Sequence, residues 1–101
     1  SAVYEYQNTR AAEKVAEYVS FQVEMALVQG DGYSRVFSLP DRIGGRVYTV
    51  TLLNGTTRVE WGNQTAYQTN RYQGDRIQIV AGDSNVFMVV NDGGEVKLVE
   101  Q

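Results

Sequence analysis

The stretch Thr9–Gln29, TRAAEKVAEYVSFQVEMALVQ, contains neither Gly nor Pro, and its apolar residues recur at helical spacing. After Gly30 the chain changes character and becomes short β-prone runs cut by glycine turns. One helix therefore opens the chain, and a sheet must follow that covers the helix's apolar face.

Wound at roughly 100° per residue, Ala12, Val15, Ala16, Val19, Val23, Ala26 and Leu27 fall on one core-facing stripe. Arg10, Glu13, Lys14, Glu17 and Glu24 lie on the solvated side. Two features break this pattern. Ala11, Tyr18 and Met25 form a second seam beside the stripe, and Phe21 and Val28 point almost opposite it. Either these are ordinary exposed apolar residues or a loop folds over them, or the helix packs on its own sheet with one face and on other subunits with another. Gly30 stands where a left-handed residue would stop the helix. The start is open. Asn8 or Thr9 suits an N-cap, yet nothing in SAVYEYQN forbids helix back towards residue 2. A chain beginning at Ser rather than Met is expected to be a processed or excised piece.

The 101 residues make one domain, with a helix over 1–29 and an antiparallel sheet over 30–101. The net charge of −3 without any Lys/Arg cluster argues against a nucleic-acid partner. No apolar run approaches membrane-spanning length. Without Cys or His there can be no disulfide, thiol nucleophile, His-based acid–base pair or usual zinc site. No cofactor or metal is expected.

The strand candidates are Tyr33–Leu39, Arg46–Leu53, Thr56–Trp61, Thr65–Gln68, Arg76–Val80, Asn85–Val90 and Glu95–Val99. Asn54-Gly55 is a type I′ hairpin turn, and Gly62-Asn63, 69–75, 81–84 and Asp92-Gly93-Gly94 are further turns or loops. In Arg46–Leu53, Tyr48, Val50 and Leu52 alternate against Val47, Thr49 and Thr51. Val86–Val90 is apolar on both faces and belongs in a central position. The expected fold class is α+β, with one long N-terminal helix packed on an antiparallel sheet of five to seven strands.

Asp31, Asp41, Asp75, Asp83 and Asp92 all sit in turns, where the carboxylate accepts from nearby backbone N–H groups. Turn chemistry accounts for them without a glycosidase dyad, and enzyme activity is not expected. Asn54-Gly55-Thr56 and Asn63-Gln64-Thr65 match the glycan acceptor pattern, so Asn54 and Asn63 are candidate glycosylation sites on an exported chain. The Tyr-, Gln- and Thr-rich stretch 63–78 suits an exposed extracellular face. Tyr67, Arg71 and Tyr72 are its candidate binding residues.

Further features are Gly30 ending an Ala/Val-rich helix, Leu39-Pro40 ending a strand, the Ile43-Gly44-Gly45 turn, Tyr48-Thr49-Val50, and the late Asn91-Asp92-Gly93-Gly94-Glu95-Val96. In these the chain resembles the soluble part of archaeal type IV pilin-like proteins with a class III signal peptide. The resemblance covers about two-thirds of the chain and rests on a pattern of common residues. It implies an apolar helix ahead of residue 1, held in the membrane before prepilin-peptidase cleavage and in a filament core afterwards. The implied localisation is therefore extracellular or at the cell surface, and the implied role is filament assembly or adhesion. Glu5, among Tyr4, Tyr6, Gln7 and Asn8, does not correspond to the acidic residue pilins carry near the mature N-terminus.

The expected partners are other pilin-like subunits, met through Ala11, Tyr18, Phe21, Met25 and Val28, with the surface layer or an assembly platform beyond them. The alternative is a membrane-anchored extracellular binding module resembling the archaellum's accessory subunits, which bind the surface layer.

Overall fold

The computed structural model describes residues 1–82 and 84–101. Asp83, one of the five turn aspartates, lies outside the described residues.

Helix α1 runs Ala2–Gln29, so the earlier of the two possible starts holds. Ser1 is the N-cap. Its side-chain oxygen accepts the Tyr4 N–H at 3.5 Å, and its carbonyl accepts the Glu5 N–H at 3.0 Å. At the other end the Gly30 N–H donates to the Ala26 carbonyl at 3.1 Å. Gly30 has φ 85° and ψ −168°. This is a region open essentially to glycine alone, and it differs in ψ from the left-handed helical conformation that its place in the sequence suggests.

Six of the seven stripe residues are buried, and Leu27 is half-buried against the core. Ser20 and Gln22 widen the buried face on its two sides.

Seven strands follow: β1 Ser34–Ser38, β2 Tyr48–Leu53, β3 Thr56–Trp61, β4 Gln64–Thr69, β5 Ile77–Ala81, β6 Val86–Asp92 and β7 Glu95–Glu100. All pairings are antiparallel. Strand number and direction agree with the sequence reading, but the strands fall into two sheets, β1-β6-β7 and β4-β3-β2-β5. β6 is the central strand of the smaller sheet, as its two apolar faces require. In the larger sheet Leu53 pairs with Thr56 around the Asn54-Gly55 turn, where Asn54 takes φ 48°.

Tyr48, Val50 and Leu52 of β2, with Val59 and Trp61 of β3, are buried. Phe37, Phe87, Val89 and Val96 supply the smaller sheet's share of the core.

The helix is tied to both sheets. Ser20 Oγ lies 2.7 Å from Thr57 Oγ1 on β3, and Asn70 Nδ2 donates to Thr57 Oγ1 at 2.6 Å and to Ser20 Oγ at 3.3 Å. On the smaller sheet Asn91 Nδ2 donates to the Ala26 carbonyl at 2.9 Å, and Tyr18 packs edge-on to Phe37 with centroids 5.9 Å apart.

Candidate functional site

The five residues proposed for a subunit contact lie along one side of α1 but in different settings. Ala11 and Tyr18 line a shallow groove of about 280 Å³ between α1 and the end of β1, together with Lys14, Val15, Leu39 and Pro40. Leu39-Pro40, which ends the first strand, is thus one wall of this groove. Tyr18 is 40% exposed because its other edge is engaged with Phe37. Phe21 is 50% exposed and Val28 72% exposed, further round the helix. Val28 borders a second recess with Glu24, Leu27 and Arg71. Met25 is half-buried. Residues 1–7 are exposed on every side of the helix and bring Val3, Tyr4 and Tyr6 into solvent.

A third recess, polar and about 610 Å³, lies where the N-terminal half of α1 meets the Gly44-Gly45 and Gly62-Asn63 turns. Glu5, Asn8, Thr9, Arg46, Trp61 and Gln64 contribute to its lining. Ile43 and Arg46 exchange two backbone hydrogen bonds of 3.0 Å across Gly44-Gly45, a small hairpin that seats this turn against the helix. A Cβ on Gly44, which has φ 58°, would come within 2.6 Å of Asn8 Nδ2. A larger residue would have to displace the Asn8 amide and would be strained at this positive φ.

The sequence points to Asn8 only as an N-cap candidate, and marks neither it nor Arg46 nor Trp61 as a site residue. Their proximity depends on how the helix crosses two turns, and no local pattern encodes that crossing. Asn63, one of the two candidate glycan acceptors, also borders this recess. Asn54 lies in the exposed β2–β3 turn, so both acceptors are open to solvent.

Tyr67 and Arg71 are exposed, as a binding face needs. Tyr72 is not. It is 4% exposed, and its hydroxyl donates to the Asp75 carbonyl, because the 69–75 loop folds back on the sheet and uses the ring as its own core. Burial, and then the Asp75 and Glu95 charges, push the Tyr72 phenol above its ordinary pKa. Tyr48 donates to the Pro40 carbonyl at 2.6 Å. Its pKa is raised first by burial and then by Asp41.

The expected turn chemistry does not appear: among the described residues no turn aspartate's carboxylate accepts a backbone N–H within its own turn. Asp31 Oδ1 accepts the Gly93 N–H at 2.7 Å, which joins the helix exit to the β6–β7 turn across the fold and not within its own turn. Asp92 pairs with Lys97 at 3.1 Å, and Glu95 approaches the same ammonium at 3.8 Å. Asp75 and Glu95 border a recess of about 420 Å³ where β5 meets β7, and both are exposed there. Among the described residues, no group of three or more acidic side chains is placed to hold a metal ion. No described helix is long and apolar enough to cross a membrane.

The surfaces available are thus an apolar helix groove, exposed apolar side chains around the same helix, and a polar recess at the helix–turn junction. Comparison with protein-family models, curated proteins and solved structures finds no match for this chain.

Proposed function

We propose that this chain is a structural subunit, major or minor, of a surface filament built like the archaeal type IV pilus and acting in assembly or adhesion. The observation that supports this most is the 28-residue helix, which exposes Val3, Tyr6, Phe21 and Val28 on the side away from its buried stripe. Apolar side chains repeated along one rod mark a surface that neighbours cover.

In this reading an apolar segment ahead of Ser1, as the resemblance implies, packs in the filament core. The two sheets then face outward with Asn54 and Asn63 open to glycans. The test is to shear surface filaments from the source cells and identify their proteins by mass spectrometry, with a gene deletion alongside. The chain should be found in the filaments, and the deletion should reduce filament number or adhesion. Filaments that lack the chain, from cells that express it, would defeat the reading.

The polar recess favours a second reading, a membrane-anchored extracellular module that binds the surface layer. Arg46→Ala and Gln64→Ala would then abolish capture of surface-layer protein, and charged substitutions at Phe21 would leave it intact.

A further inference from the structure

We propose that α1 carries both halves of one directional contact between copies of this chain: Phe21 of one copy seats in the groove that Ala11, Tyr18, Leu39 and Pro40 form on the next. This deepens the filament reading and rests on it.

Size gives the first argument. The groove holds about 280 Å³, at or below the roughly 300–1,000 Å³ of small-molecule pockets and suited to one inserted side chain. Its walls are almost wholly apolar, so a seated tyrosine would have its hydroxyl stripped of water, a cost that phenylalanine does not carry. Of the exposed aromatic side chains on α1, namely Tyr4, Tyr6, Tyr18 and Phe21, only Phe21 lacks a hydroxyl.

Charge gives the second argument. Lys14 on the groove rim has no acidic partner within 4 Å among the described residues. Phe21 is flanked about one turn away on either side by Glu17 and Glu24. Glu17 shares Arg10 at 3.6 Å, and Glu24 has no basic partner within 4 Å among the described residues. A copy that inserts Phe21 brings both carboxylates up to the neighbour's Lys14.

Geometry makes the contact directional. At about 100° per residue, Phe21 lies roughly 70° round the helix from the groove residues, and at 1.5 Å per residue about 10 Å further along it. With the copies parallel, as the filament reading has them, Phe21 of one meets the groove of the next and each copy is offset from the last. Such a heterologous contact propagates as an open chain instead of closing into a pair. One Phe side chain buries only about 150–250 Å², far below the roughly 1,200 Å² of a stable interface. The contact is therefore weak in isolation and is reinforced when many copies are held together.

The chain has no cysteine, so cross-linking reads such a weak contact cleanly. The variant carrying both Asp41→Cys, on the exposed residue beside Pro40, and Glu24→Cys keeps Lys14 and Glu17, and at millimolar concentration with a short bismaleimide it should give a ladder of oligomers. Each single-cysteine variant should stay monomeric, and adding Phe21→Glu to the double variant should erase the ladder while its circular dichroism is unchanged. The proposal is overturned if no ladder forms, if the ladder survives Phe21→Glu, or if either single variant dimerises through its one cysteine. None of these outcomes touches the filament reading, which stands or falls on whether the chain is present in sheared filaments. Filaments without the chain would in turn leave the cross-linking result unchanged.

Discussion

Gln22 is fully buried, and neither its amide oxygen nor its amide nitrogen has a hydrogen-bond partner. It lies one turn from Tyr18, which meets Phe37, and one turn from Ala26, whose carbonyl meets Asn91, so it faces the smaller sheet. A buried amide without partners costs on the order of 1–3 kcal/mol. Gln22→Met keeps the length of the side chain and removes both orphaned groups, and it should raise stability by about 1–2 kcal/mol in denaturant melts. A lower midpoint would mean the amide is in fact bonded. Gly30 gives the opposite case. A Cβ there meets no atom within 4 Å, so the loss in Gly30→Ala, about 1–3 kcal/mol, should come from the backbone conformation alone, with the spectrum of the folded state unchanged. The stop at Gly30 is legible in sequence because glycine there has one main use. The burial of Gln22 is not, since it depends on a sheet whose central strand, β6, lies more than sixty residues away.

At the scale of elements, the helix stripe and the strands were legible because each is bounded by residues with special backbone needs. Asn54-Gly55, Gly62-Asn63 and Gly93-Gly94 mark turns wherever they occur, and Tyr48, Val50 and Leu52 alternate as a half-buried strand must. The division into two sheets was not legible, because β5 and β7 end up adjacent without pairing and no turn signal records a pairing that is absent. For the candidate contact residues, distance from the stripe is legible in the helical spacing, but separation into a groove and a projection is not. That separation depends on Leu39 and Pro40 arriving beside Ala11 and Tyr18. The tie between helix and larger sheet is the Ser20–Thr57–Asn70 cluster. Asn70→Ala removes the donor to both hydroxyls and the Tyr72 N–H acceptor, and it should cost about 1–3 kcal/mol in thermal unfolding. Phe21→Glu lies on the outer face but sets a third carboxylate between Glu17 and Glu24, and it should cost about 1 kcal/mol, as read by the same melts, without unfolding the chain.

For the whole molecule, the two tyrosines with raised pKa set an alkaline limit. Folding favours the neutral phenols of Tyr48 and Tyr72, through burial first and nearby carboxylates second. Their contribution is complete below the ordinary tyrosine value of about 10 and is lost as pH rises through the higher folded values. Phenolate absorbance should therefore show a late-titrating component that coincides with alkaline unfolding, and Tyr48→Phe should shrink that component. A single ordinary titration of all seven tyrosines would contradict the burial of these two. The helix that bridges both sheets also determines how the molecule bears load. Tension entering at the N-terminal end of α1 runs along the helix axis and reaches the hydrogen-bonded tie to the larger sheet at Ser20 before the hydrogen-bonded tie to the smaller one at Ala26. The apolar stripe is then loaded in shear along its length, and the two polar knots take up strain in sequence, so the chain resists pulling as a rod seated in a grip instead of peeling away strand by strand.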